Sequence, residues 1–141
     1  MRLGIVASRF NEEICGKMVE RARAEAQKLK AECTVVNVPG ALEIPLALQW
    51  MAQSGRFDAL VALGAVIRGD TYHFEVVCNE SARGVMDVAL ESGLPIANGI
   101  LTTNDEAQAK ARLDKGAEAV RVAVEMGRMR ARLRAGEHED R

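Results

Sequence analysis

Short apolar runs alternate with longer amphipathic segments along this chain, and this alternation restricts the fold more than any other feature. The runs at 2–8, 33–39, 57–66 and 94–101 have the length and apolar content of buried strands. The segments at 12–31, 42–53 and 72–92 carry apolar residues at near-helical spacing. Strands that alternate with helices form a parallel sheet covered on both faces. The sequence therefore predicts an α/β fold, a three-layer sandwich with a four-stranded parallel sheet between helices.

Length and charge narrow the classes of protein further. A chain of 141 residues suits one domain, which we expect to span 1–141 with a polar tail at about 135–141. The net charge of −1 gives no general case for binding nucleic acid or an anionic membrane. No apolar run is long enough to cross a bilayer, and we expect no signal peptide because the chain begins with a strand-like run. The three cysteines lack metal-type spacing, so we expect reduced thiols in a cytoplasmic protein.

Two local patterns in the C-terminal part of the chain have structural interpretations. Thr103 and Glu106 have the spacing of a capping box and predict the start of a helix. A second helical pattern follows Lys115 and contains an arginine run from Arg128 to Arg134. This run is either a nucleic-acid patch or a solvated helix face. The acidic residues that follow it favour the solvated face.

Ligands of parallel sheets bind at the carboxyl ends of the strands, so the loops that follow the predicted strands are the places to search. In the loop SRFN, Phe10 either covers a planar ring or closes the edge of the core. In the loop PGALE, small residues would let a ligand approach the backbone. Glu43 in that loop either accepts hydrogen bonds from a polyol or complements a helix dipole.

The stretch from Arg68 to His73 joins the clearest strand to a helix. Backbone N–H groups and the hydroxyl of Thr71 at a helix start would form a phosphate site. Asp70 would repel an anion, so we expect it to cap the helix and offer only its backbone. His73 is the one histidine outside the tail. It either shuttles protons near neutral pH or has a structural role.

The remaining candidates follow the fourth strand. The guanidinium of Arg112 suits a phosphate, although most residues of the type of Arg112 and Lys115 are simply solvated at the surface. The glycines match neither a dinucleotide fingerprint nor a P-loop, and the sequence has no HExxH, CxxC or nucleophile-elbow motif. We therefore expect acid–base and electrostatic chemistry without a metal.

Several of these stretches together resemble the lumazine synthase family. The motifs SRFN, VPGALEIP, GAVIRGDTYH with FEVVCNESARG, GILTT and KGAEA occur in the family's order, from about Gly4 to Met126. The resemblance implies a flavodoxin-like fold and condensation of 5-amino-6-(D-ribitylamino)uracil with 3,4-dihydroxy-2-butanone 4-phosphate. The products would be 6,7-dimethyl-8-ribityllumazine, phosphate and water, in the penultimate step of riboflavin biosynthesis. It also implies that no cofactor is used, and that the active site lies between two subunits of a homopentamer or of an assembly of pentamers.

The same resemblance implies a role for each motif residue. Phe10 would stack on the pyrimidine, and His73 would transfer protons. Arg112, from the neighbouring subunit, would bind the phosphate. Lys115 matches a lysine of the family that lies near the same opening of the active site. The ribityl site would be lined by Ala41, Leu42 and Glu43, the pyrimidine would meet the backbone of Ala65, Val66 and Ile67, and the phosphate would meet Asp70 and Thr71.

Two departures from the family pattern and two other functions bear on this interpretation. Asn98 stands where many members have an aromatic residue over the pyrimidine, and the loop between Arg112 and Lys115 is shorter than in many relatives. One alternative is an inactive lumazine- or flavin-binding carrier, which the presence of both His73 and Arg112 disfavours. The other is a phosphoacceptor signalling domain. It would need acidic residues at the ends of strands one and three, but strand one ends in SRFN.

Overall fold

The computed structural model describes residues 1–136 and shows strands and helices in alternation. The strands are β1 Arg2–Ser8, β2 Glu32–Val38, β3 Ala59–Ile67 and β4 Ile96–Thr103. The helices are α1 Glu12–Lys28, α2 Ile44–Gln53, α3 His73–Ser92, α4 Glu106–Lys110 and α5 Lys115–Arg134, with a 3₁₀ turn at Ala41–Glu43 before α2. The end of the predicted polar tail, residues 137–141, lies outside the described residues.

The four strands form one parallel sheet in the order β2-β1-β3-β4. This arrangement confirms the predicted flavodoxin-like α/β fold. The chain winds from β1 outward to β2, then crosses to β3 on the other side of β1. In such a doubly wound sheet the crossovers diverge between β1 and β3, which leaves a crevice at the carboxyl ends of these two strands.

Two apolar clusters, one on each face of the sheet, hold the three layers together. Helices α1 and α5 cover one face, where Met18 and Val120 are fully buried against β1 and β3. Helices α2 and α3 cover the other face, where Ile44 and Leu48 are fully buried. Strand β3 is buried along almost its whole length because it lies inside the sheet with helices on both sides.

Several predicted boundaries are wrong by a few residues. Helix α1 ends at Lys28 instead of continuing to residue 31, and the following turn places Lys30 at φ 59. Strand β4 runs two residues beyond the predicted end, because its last residues still pair with the end of β3. The predicted strand at 57–66 is β3, which begins at Ala59 and ends at Ile67.

Both helix-capping predictions are wrong. The N-cap of α4 is Asp105, whose carboxylate accepts a hydrogen bond from the N–H of Gln108 at 2.8 Å. Thr103, predicted as the cap, instead donates its hydroxyl to the carbonyl of Asp105 at 3.0 Å. At the start of α3, the hydroxyl oxygen of Thr71, and not Asp70, accepts a hydrogen bond from the N–H of His73 at 3.3 Å.

Candidate active site

A cleft of about 410 Å³ opens between the carboxyl ends of β1 and β3, in the crevice that the strand order creates. Its volume lies within the usual range for small-molecule sites. The ring of Phe10 lies at its edge and is 69% exposed, so it does not close the core. An exposed aromatic face beside a cleft can cover a planar ligand ring.

Strand β3 supplies the floor of the cleft because it extends beyond its neighbour. Its pairing with β1 ends at Leu63, whereas its pairing with β4 continues to Ile67. The predicted residues Ala65, Val66 and Ile67 all line the cleft from this extension. The side-chain amide of Asn11 donates to the carbonyl of Ala65 at 2.8 Å and ties the β1–α1 loop to the floor. A strand edge without a neighbouring strand can offer backbone groups to a planar ligand with amide-like edges.

The loop after β2 forms a second wall. Gly40, Ala41, Leu42 and Glu43 line the cleft, and the last three form the 3₁₀ turn. A Cβ at Gly40 would lie 3.2 Å from Oε1 of Glu43, so the absence of a side chain there leaves room for this carboxylate. The exposed carboxylate can accept hydrogen bonds from hydroxyl groups.

The loop between β3 and α3 completes the cleft. Gly69, Thr71 and His73 line it, and His73 is the first residue of α3. Asp70 lies in the same loop and is exposed, but its side chain is not part of the cleft wall. Asp70 does not cap the helix, and the expected contact of its backbone with a phosphate stays a prediction. The histidine therefore faces the same space as Phe10 and Glu43.

The remaining predicted residues lie elsewhere in the chain. Asn98, Arg112 and Lys115 line a separate hollow of about 620 Å³ beside β4, the outermost strand on that side of the sheet. No residue that lines this hollow also lines the cleft. Within one chain, the structure thus brings Phe10 and His73 together but leaves Arg112 in a different place.

Comparison with known proteins identifies the family. The sequence model of the 6,7-dimethyl-8-ribityllumazine synthase family matches residues 1–131. The chain belongs to this family. It is 55% identical to the 6,7-dimethyl-8-ribityllumazine synthase of Cupriavidus necator, over 99% of this chain and 89% of the relative. It is 56% identical to the enzyme of that name from Cupriavidus pinatubonensis, over 92% of this chain and 80% of the relative. It is 53% identical to the 6,7-dimethyl-8-ribityllumazine synthase of Azoarcus sp., over 92% of this chain and 85% of the relative.

In this member of the lumazine synthase family, hydrogen bonds hold the two positively charged side chains that line the hollow. Nη1 of Arg112 donates to the carbonyl of Gln108 at 2.8 Å, and the ammonium of Lys115 lies 3.2 Å from Oε1 of Glu118. Asn98 is exposed, and its side-chain oxygen accepts a hydrogen bond from the N–H of Ile100 at 2.9 Å. The short link between Arg112 and Lys115 is a turn, with the N–H of Lys115 bonded to the carbonyl of Arg112 at 3.0 Å.

Ionisable groups next to the cleft show why thiol chemistry is disfavoured there. Burial raises the pKa of the Cys15 thiol to about 11, and this thiol donates to the carbonyl of Phe10 at 3.3 Å. Burial also raises the pKa of Cys78, and the nearby charge of Glu75 adds to this effect. Since the thiolate is the reactive form, neither thiol is activated at neutral pH. Within residues 1–136, no group of three or more His, Cys, Asp or Glu side chains is arranged to hold a metal ion.

Sequence reasoning did not single out four residues that shape this region. Phe74 and Val77, on the first turns of α3, line the cleft. Asn11 and Arg68 hold its loops, by contacts that join positions 54 and 36 residues apart. Both stand inside motifs quoted above, but a motif does not show which distant group its side chain contacts. Helical spacing from His73 could have indicated Val77, which lies one turn further along α3.

Proposed function

We propose that this chain condenses 5-amino-6-(D-ribitylamino)uracil with 3,4-dihydroxy-2-butanone 4-phosphate to give 6,7-dimethyl-8-ribityllumazine, phosphate and water. The family match over residues 1–131 supports the reaction. The structural observation that supports this chemistry is the cleft between β1 and β3. It brings an exposed aromatic ring, a carboxylate, a helix-start loop with a threonine hydroxyl and a histidine into one space. These groups match a planar ring, a polyol, a phosphate and a proton transfer.

The pyrimidine would bind against Phe10 and the exposed end of β3. Its ribityl chain would extend along the 3₁₀ turn, where Glu43 accepts hydrogen bonds from hydroxyl groups. The phosphate of the second substrate would bind at Gly69 and Thr71. This arrangement places both substrates beside His73, and holding two reactants in one orientation is a large part of catalysis for a bimolecular reaction.

The chemistry needs no activated protein nucleophile, because the substrate's own amine attacks. The 5-amino group adds to the ketone carbon and loses water to form an imine. Loss of a proton beside the imine expels phosphate and leaves an enol, which tautomerises to a ketone. The second amine then adds to this ketone carbon and closes the ring with loss of another water. His73 would accept and return protons during these steps, and Arg112 would stabilise the departing phosphate. All atoms of the product come from the two substrates, and we therefore propose a reaction without a cofactor.

We further propose that the site is shared between subunits of a homopentamer or of an assembly of pentamers. In one chain the hollow with Arg112 and Lys115 lies beside the outermost strand, away from the cleft. A neighbouring copy could bring its hollow against this chain's cleft. The outer surfaces of α2 and α3 expose large apolar side chains, with Trp50 61% and Leu90 76% accessible, and such surfaces are typical of association.

The three cysteines are free thiols in the structure, which supports our proposal that the protein works in the cytoplasm. Within the described residues, no helix is both long and apolar enough to span a membrane. The near balance of 19 Lys and Arg against 20 Asp and Glu gives no general argument for nucleic acid as a partner. The proposed partners are accordingly the two substrates and further copies of the chain.

A mixing assay tests the proposed reaction directly. Purified protein is added to both substrates, and lumazine fluorescence and phosphate release are followed against the same mixture without protein. We expect both signals to rise faster with protein and in equal molar amounts. An inactive carrier would bind added lumazine but leave the rate of its formation at the uncatalysed value.

A further inference from the structure

The side chain of Arg68 joins three elements at the mouth of the cleft. Its Nη1 donates to Oε1 of Glu75 on α3 at 2.5 Å. Its Nε donates to Oδ1 of Asn104, beyond the end of β4, at 2.9 Å. The guanidinium carbon lies 4.4 Å from the centre of the Phe74 ring. The planar guanidinium, with its fixed fork of donors, is the side chain best suited to such simultaneous contacts.

These contacts enclose the loop 69–72. Arg68 directly precedes this loop, and two of its partners, Phe74 and Glu75, follow it within the first turn of α3. A Cβ at Gly69 would meet no atom within 4 Å, so packing does not support the loop at that point. Asn104 is itself fixed, because its N–H donates to the side-chain oxygen of Gln108 at 2.8 Å. The ends of the loop are therefore held by one side chain.

We propose that Arg68 is a positioning residue for the phosphate of the sugar substrate, a role that rests on the proposed function. By fixing both ends of the loop 69–72, it holds the hydroxyl of Thr71 and the backbone N–H groups in the arrangement that the phosphate needs. Phe74 lines the cleft and would keep its orientation through the same guanidinium. A loop free to adopt several shapes would bind the same phosphate more weakly.

The geometry argues against Arg68 as a direct phosphate ligand. Arg68 is not part of the cleft wall, whereas its neighbours Gly69 and Thr71 are. Its described side-chain hydrogen bonds point to Glu75 and Asn104, and the paired carboxylate would repel a phosphate at the same place. The guanidinium N–H also lowers the pKa of the Glu75 carboxyl, which keeps this pair ionised at neutral pH.

The test compares Arg68→Met with a matched control, Arg2→Met. Arg2 is paired with Asp58 and has similar side-chain exposure, 50% against 46%, but lies at the start of β1 and hence at the opposite end of the sheet. For each variant we would measure steady-state constants for both substrates and, by calorimetry, the affinity for inorganic phosphate. If Arg68→Met does not fold, Glu75→Gln replaces it in the test, because glutamine removes the charge that pairs with Arg68 and keeps the shape of the side chain.

We expect Arg68→Met to raise the KM for the sugar phosphate and the Kd for inorganic phosphate on the order of tenfold. The KM for the pyrimidine should change less than about twofold, because that ring binds on β3 and Phe10. Arg68→Lys should recover part of the loss, since a lysine can pair with Glu75 but lacks the planar fork. Arg2→Met should behave as the unmodified protein.

Equal phosphate affinity in the unmodified protein and Arg68→Met would overturn the inference, as would an equal rise in both Michaelis constants. An unmodified protein that binds no phosphate would overturn it too. The calorimetric result does not depend on turnover. A protein that binds phosphate in an Arg68-dependent way but forms no lumazine would therefore contradict the proposed reaction and leave the positioning role supported.

Discussion

Phe10 and His73 approach the same cleft from different strands and differ in what they can do. The ring of Phe10 is largely exposed, so its main contribution would come from the area that a bound ring covers. His73 begins α3 and is accessible to solvent, as a group that exchanges protons during turnover must be. We therefore expect Phe10 to affect substrate binding and His73 to affect the rate.

Replacement of His73 by alanine should slow turnover with little change in substrate binding. We expect the maximal rate to fall roughly ten- to a hundredfold, at the low end of general acid–base effects, because the substrate amine remains a competent nucleophile. The measurement is kcat and both Michaelis constants at neutral pH. A variant with the unmodified rate would remove His73 from the mechanism.

Phe10 and Asn98 should contribute unequally to pyrimidine binding. Phe10→Ala should weaken it on the order of tenfold, because stacking area is lost. Asn98→Ala should lower the affinity for the pyrimidine less, because this side chain is exposed and its oxygen already accepts a hydrogen bond from the N–H of Ile100. Asn98→Phe should fold and remain active. Equilibrium binding of a pyrimidine analogue checks this order, and a larger loss in Asn98→Ala would show that Asn98 makes the main contact.

Helices α1 and α5 approach each other closely at one glycine of α5. A Cβ at Gly116 would lie 2.3 Å from the carbonyl oxygen of Met18, so the two helix backbones touch there. Gly116→Ala should therefore force the helices apart and lower the free energy of unfolding by about 1–3 kcal/mol. Urea denaturation at a fixed protein concentration measures this change.

Gly16→Ala is the matched control for that substitution. Gly16 also lies in a helix, α1, but a Cβ there would meet no atom within 4 Å. Alanine should raise stability by about 0.5–1 kcal/mol through its higher helix propensity. If both alanine variants changed stability by the same amount, helix propensity and not the close contact with Met18 would determine the effect.

The order and type of the elements could be predicted from the sequence, because hydrophobic periodicity reports directly on burial. The fully buried strand β3 and the helical spacing of α1 are such cases. The capping box at Thr103 was predicted wrongly because several adjacent polar residues can cap a helix. Asp105 occupies the position with the extended backbone that a cap requires. The hydrogen bond from Arg68 to Asn104 joins residues that are 36 positions apart, and local sequence patterns carry no information about such pairs.

The cleft and the hollow are two halves of one proposed site. A single chain holds the proposed pyrimidine pocket and His73 but keeps Arg112 beside its outermost strand. The phosphate would then meet a guanidinium only when a second chain supplies it. Association would thus complete the site, and isolated chains should bind the pyrimidine better than the sugar phosphate.

Removal of the Arg112 guanidinium should affect one substrate selectively. Arg112→Ala should raise the KM for the sugar phosphate far more than the KM for the pyrimidine, since loss of a charge-assisted contact costs about 2–3 kcal/mol. Arg112→Lys should recover only part of this, because lysine lacks the planar fork. Steady-state kinetics with each substrate varied in turn provides the comparison, and equal effects on both constants would speak against a phosphate role.

The shared site can be tested most directly by mixing two chains with different impairing substitutions. Arg112→Ala and His73→Ala subunits are unfolded together, reassembled in equal amounts, and assayed for lumazine formation beside each parent treated in the same way. If the site lies between neighbours, about a quarter of the sites in a mixed ring pair an intact His73 with an intact Arg112. We predict activity clearly above either parent. If mass spectrometry shows co-assembled chains but activity stays at the average of the parents, Arg112 and His73 serve the same subunit's site and the proposed shared site is wrong.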